Sequence, residues 1–227
     1  MTLQHVNILF QLIVFLFAIS FHESAHAWMA NLRGDPTARM LGRITLNPIK
    51  HIDPLGTIVL PAIALYYHIP VLGWAKPTPV DPRNFKNHVL DDILTAVAGP
   101  VSNFLAASLA LFALGIIKHV SPLGQQIIFG IPQGLVSLEM NSALVPLCLL
   151  LYQFMVINVV LGVFNLIPVP PLDGSHVLRH FLPAPALRIY DTVGMFGLMA
   201  LVFLGGNFLF SLISPFLYFF TFLLFKI

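Results

Sequence analysis

The residues Phe21-His22-Glu23-Ser24-Ala25-His26-Ala27 bring two imidazoles and a carboxylate within about one helical turn. On a helix, His22 and His26 stand at i and i+4 on one face. That spacing lets both nitrogens reach one zinc ion, with Glu23 beside it as a general base. With nine histidines in the chain and glutamate only at 23 and 139, about 0.003 matches to this pattern are expected by chance. A pair of core histidines satisfied by hydrogen bonds is the plainer alternative. An ionisable glutamate inside an apolar helix weighs against it, because an isolated charge at membrane depth costs at least about 2.5–3.5 kcal/mol.

The element carrying this cluster is a membrane span. The chain has 227 residues, 58% hydrophobic and 9% charged, against about 25% charged in a soluble domain. That composition excludes an ordinary soluble enzyme and a disordered chain. The single Cys148 excludes a disulfide scaffold or a Cys-rich zinc finger. A net charge of +2 gives no support to a nucleic-acid partner. What is left is an all-α polytopic membrane protein in contact with the lipid bilayer.

About five transmembrane helices are expected, each needing about 20 apolar residues. They are Val6 to Met29, Ile93 to Ile117, Leu144 to Ile167, and a C-terminal helical hairpin over 189–226 with its turn at Gly205-Gly206-Asn207. The first lacks the basic n-region of a signal peptide, and cleavage there would discard the polar cluster. Leu55 to Trp74 is apolar but broken by Pro61, His68 and Pro70. Positive residues favour the cytoplasmic side. With the N-terminus outside and Leu55 to Trp74 re-entrant or interfacial, every Lys and Arg except Lys118 falls inside, Lys226 included. The C-terminus and most loops are then cytoplasmic, in a multi-pass protein of the cell inner or plasma membrane. Gly42 to Pro48 alternates apolar and polar residues, which suggests a short β element lining a cavity, with a hydrophobic interfacial loop as the alternative.

A catalytic zinc takes three protein ligands and a water. Asp173 is the best candidate for the third, with a polar turn at the membrane surface as the plainer alternative. In this topology the Leu144 to Ile167 helix runs parallel to the first, so its C-terminal end reaches the level of His22 and His26. Pro168, Pro170 and Pro171 then prevent a regular helix and let the chain turn back. His176 and His180, also at i and i+4, lack an intervening glutamate and suit an interfacial helix face. Asp91 and Asp92 read as first-turn acids, and Asp35 and Asp53 as turn residues. His5, His51, His68, His88 and His119 are isolated. Glu139 falls in the outside loop.

These motifs resemble the site-2 protease family of intramembrane zinc metalloproteases. The resemblance rests on Phe21 to Ala27, on Ala98-Gly99-Pro100-Val101-Ser102-Asn103, and on Asn165 through Asp173-Gly174, eight residues from Asn to Asp. It covers residues 5–180 within a single transmembrane domain, 1–227, and fits the compact branch without PDZ or CBS domains. It implies one zinc per chain held by His22, His26 and Asp173. It also implies Glu23 activating water, Asn165 near the scissile carbonyl, and Gly99, Pro100 and Asn103 in substrate binding. The implied substrate is a transmembrane protein or peptide, cleaved in regulated intramembrane proteolysis. The competing reading is a metal-ion or proton transporter using the same His/Glu/Asp cluster. A catalytically dead relative acting as a membrane chaperone would not need all four chemical residues. The sequence names neither the substrate nor the oligomeric state.

Overall fold

The computed structural model describes residues 3–59, 63, 74–136 and 142–227. The helices in order are α1 (Leu3–Arg33), α2 (Thr37–Met40), α3 (His88–Val120), α4 (Pro122–Gly130), α5 (Leu144–Asn165), α6 (Asp173–Arg179), α7 (Ala184–Leu204) and α8 (Gly206–Lys226). Four of the described helices are long and apolar enough to cross a membrane: α1 from Phe10, α3, α5 and α8; a fifth span exists if the bent α7 counts as one.

The boundaries follow from local chemistry. α1 ends where Gly34 turns to φ 114°, and the Asp35 N–H reaches back to Ala30 O at 2.9 Å, closing the helix through a left-handed glycine. α3 begins at Asn87, whose side chain accepts from the Leu90 N–H at 3.1 Å. Arg33 at the end of α1 meets Asp91 at the start of α3 at 2.6 Å, so these two helices run antiparallel from a shared ionic corner.

α1, α3 and α5 form the centre of the bundle. Away from the polar cluster α3 and α5 pack through Ala107, Ala110, Leu114, Val145, Cys148 and Val159, all buried, with α4 adding Ile127 and Ile128 and α8 adding Phe220 and Leu224. The small α3 residues let neighbouring backbones approach closely, the usual basis of helix association in lipid.

Two expectations are corrected here. Residues 42–47 form no strand, and no strand occurs among the described residues. The Thr45 carbonyl is taken by the Ser24 hydroxyl and by His51 Nε2 at 2.8 Å. Side chains thus satisfy the backbone that a strand would pair.

The C-terminus is also not at the end of the bundle that holds most loops. α8 runs in the same direction as α3: Phe216 lies beside Phe104, 6.2 Å between ring centroids, and Lys118 Nζ donates to Leu224 O and Phe225 O at 3.0 and 2.9 Å. Lys226 therefore ends beside Lys118. α7 bends by 54° between Gly194 and Phe196. Its Tyr190 hydroxyl donates to Pro168 O at 3.0 Å, and Arg179 meets Asp191 at 3.0 Å. These contacts hold the first half of α7 against α6 and the turn before it. Hydropathy alone does not separate such a bent helix from a straight full span.

Most of the Leu55 to Trp74 segment lies outside the described residues, as does Glu139. Its two ends do meet: Thr57 Oγ1 donates to Trp74 O at 2.7 Å. The chain thus leaves and returns at one place.

Candidate metal centre

α1 presents His22 and His26 on the face turned toward α3. Gly99 makes this possible, because a β-carbon there would collide with both imidazole rings. After α5, the 166–172 turn brings the chain back, and Asp173 opens α6. Gly174 permits that fold, since a side chain would run into the carbonyls of Leu166 and Ile167. α6 is then tied to α3: His180 Nε2 meets Asp92 Oδ2 at 2.7 Å and His176 Nδ1 meets Asp92 Oδ1 at 3.6 Å. The histidines read as an interfacial face thus hold the helix that carries Asp173.

Three groups converge. His22 Nε2 and His26 Nε2 lie 3.1 Å apart, with Asp173 Oδ2 3.0 Å from the first and Oδ1 3.4 Å from the second. Among the described residues these three form the one cluster of His, Cys, Asp or Glu able to hold a metal ion. The proton positions test the fit. His26 Nδ1 faces the Thr95 carbonyl at 2.7 Å, which only accepts, so Nδ1 carries the proton. His22 Nδ1 donates to Asn103 Oδ1 at 2.6 Å. Both Nε2 atoms are then bare lone pairs, and Asp173 Oδ2 is buried with no hydrogen-bond donor. Three such atoms facing one another call for a cation. The triangle also has the right size: tetrahedral zinc with ligands at 2.0–2.1 Å gives edges of about 3.3 Å.

Glu23 is held by the stretch that leads to α3. Its Oε2 accepts from the Thr78 N–H at 2.9 Å and from the Thr78 hydroxyl at 2.7 Å. Thr78 lies between Pro77 and Pro79, which have no N–H, so it is the donor this stretch offers. Arg43, 5% exposed, fixes the stretch by donating to Lys50 O, Lys76 O and, at 2.8 Å, Pro77 O. His51 packs nearby; burial pushes its imidazole below the ordinary range and Arg43 adds to that, against the opposing Thr45 carbonyl.

The remaining expected site residues are placed differently. Asn165, half-buried at the end of α5, donates to Leu161 O on its own helix at 3.1 Å. Gly99, Pro100 and Asn103 are buried within the bundle. Gly99 packs on the imidazoles and Asn103 bonds His22. Sequence reading missed Arg43, Thr78, Thr95 and Asn158. Asn158 was detectable as an amide in mid-span. The others act through backbone groups or loop contacts that no spacing rule encodes.

Residues 10–205 match the family model described as Peptidase family M50. The chain is 38% identical over 176 residues to the Bacillus subtilis (strain 168) protein named "Putative zinc metalloprotease YwhC", covering 78% of this chain and 70% of that relative. No solved structure matches. The chain belongs to peptidase family M50, the site-2 protease family that its motifs resemble.

Proposed function

We propose that this protein is an intramembrane zinc endopeptidase that hydrolyses peptide bonds within or near membrane-spanning segments of its substrates. The observation that carries the reading is the convergence of His22, His26 and Asp173 with both Nδ1 atoms already donating, within helices long enough to span a bilayer. These three residues would hold one zinc per chain. Zinc in such a site supplies a Lewis acid and lowers the pKa of water toward neutrality.

The chain's own residues supply the rest. Thr78 occupies Glu23 Oε2, which leaves Oε1 to take a proton from the attacking water and deliver it to the leaving nitrogen. Asn165 releases Leu161 O and turns its amide to the developing oxyanion. Helical substrate must unwind locally before its scissile carbonyl is accessible.

For orientation, Arg33, Arg39, Arg43, Lys50, Lys76, Arg83, Lys86, Arg179 and Arg188 belong to the elements at the site end, against Lys118 and Lys226 at the other. The positive-inside rule then puts the site end in the cytoplasm and both termini across the membrane. The host membrane is the cell inner or plasma membrane, and the substrates are transmembrane proteins.

The test is cleavage of a membrane-spanning substrate by wild type and Glu23→Gln, with zinc content measured on both. Loss of cleavage with zinc retained supports the reading. Undiminished cleavage by Glu23→Gln would overturn it, and zinc flux into proteoliposomes that survives in the variant would favour transport.

A further inference from the structure

His22 and His26 owe their orientation to partners of different kinds. His26 faces a backbone carbonyl, which fixes its proton without ambiguity. His22 faces the side-chain amide of Asn103, and an amide presents either a donor or an acceptor. An NH2 turned toward His22 would require the ring to accept at Nδ1. The proton would then sit on Nε2 and block it as a ligand.

What settles the direction lies on a third helix. Asn158 Nδ2 donates to Phe154 O at 2.8 Å, and a carbonyl admits no other polarity. Asn158 Oδ1 therefore faces Asn103 and accepts from its Nδ2 at 2.8 Å. A longer bond of 3.3 Å from the same Nδ2 to Ala18 O acts in the same sense. Asn103 is left with Oδ1 toward His22. Both amides are 0% exposed. We propose that Asn158 is a positioning residue for the metal centre: acting through Asn103, it holds His22 with Nε2 bare and aimed at His26 and Asp173. The inference rests on the reading of His22 as a ligand. A neutral amide pair suits this depth, because it fixes polarity without burying another charge. Outer partners of metal-bound histidines do this work elsewhere, and their loss costs 10–100-fold in affinity or activity.

The test measures zinc affinity of the full chain in detergent by competition with a chelator, together with the His22 tautomer in the metal-free protein by 15N-histidine NMR. Asn158→Leu is expected to weaken zinc binding about tenfold, the low end of that range, because the bond to Ala18 O persists. It is also expected to erode the Nδ1–H signature of His22. Asn103→Leu should weaken binding further. The double variant should be no weaker than Asn103→Leu alone, since one residue acts through the other. Met155→Ala, buried in the same helix, is the packing control: it should lower Tm and leave affinity and tautomer unchanged. Should Asn158→Leu not fold, Asn158→Asp keeps the acceptor toward Asn103 and should retain wild-type affinity. Unchanged affinity and tautomer in Asn158→Leu, additive losses in the double variant, equal zinc loss in Met155→Ala, or loss in Asn158→Asp would each overturn the proposal. Cleavage enters none of these readouts, so failure of the protease reading leaves them standing.

Discussion

α5 and α8 look alike in sequence and behave differently in the bundle. They have 22 and 21 residues and mean hydropathies of 2.3 and 2.1, yet 39% of the apolar stretch of α5 is buried against 11% of that of α8. The difference lies in polar groups. α5 carries Asn158 in its middle, bonded to α3, and leads directly into the turn that delivers Asp173. α8 is tied to α3 at one end, by Lys118 on its final carbonyls; Phe208, Phe210, Phe219 and Phe222 along it are exposed. Between helices in lipid there is little hydrophobic driving force, so small residues and polar contacts decide which helix is central.

The sharpest way to break that comparison is to crowd the centre and the periphery with the same methyl group. Gly99→Ala drives a β-carbon into both imidazoles, whereas Gly206→Ala at the start of α8 meets nothing within 4 Å. Gly99→Ala is expected to cost about 1–3 kcal/mol through overpacking and to weaken zinc binding at least about tenfold. Gly206→Ala should be neutral or stabilise by up to about 1 kcal/mol. Thermal unfolding and zinc titration of the two variants measure both effects. A smaller effect is expected from Lys118→Met, which removes the donors to Leu224 and Phe225 and the cation over the Phe129 ring, 5.4 Å away. The loss should be about 1–2 kcal/mol, seen as faster proteolysis of the C-terminal end, with zinc binding unchanged. Zinc loss in Lys118→Met would mean that α8 is coupled to the site after all.

The same contrast separates what the sequence showed from what it hid. The convergence of His22, His26 and Asp173 was legible because each is a costly residue at membrane depth, and the basic residues at the loop end of the bundle set the direction of α1, α3 and α5. The direction of α8 was hidden because α7 and α8 are apolar, and apolarity says that a helix meets lipid without saying where it goes. Lys226 was assigned by the charge rule, but the structure sets Lys118 and Lys226 at one end. The loops were illegible for a different reason. Arg43 and Thr78 work through the carbonyls of Lys76 and Pro77 and the N–H of residue 78, and backbone groups leave no trace in residue type. The apparent β alternation of 42–48 followed the docking of Thr45 on Ser24 and His51, not strand pairing.

The smallest predicted effect concerns how these loops respond to acid. Asp35, buried between α1 and the stretch leading to α3, accepts from the Asp81 N–H at 2.8 Å, the Asn84 amide at 2.8 Å and the Thr37 N–H at 3.1 Å. Burial alone would raise its carboxyl; the donors of Thr37, Asp81 and Asn84 outweigh burial and hold it below the ordinary carboxylate range. A carboxyl depressed in the folded state stabilises that state above its unfolded value, and the contribution disappears as pH falls through the lower folded value. The 35–37 turn should therefore stay docked on 81–84 at pH 5 and loosen only in stronger acid, below the usual aspartate range near 3.9. Hydrogen exchange at the Asp81 amide reads this directly, with the α8 amides near Leu224 as the internal reference. In Asp35→Asn the step should vanish, and exchange at Asp81 should already be fast at neutral pH. An acid step that persists in Asp35→Asn would assign it to another carboxylate, and a step shared by the α8 amides would mean that the whole bundle, rather than its loop end, is opening.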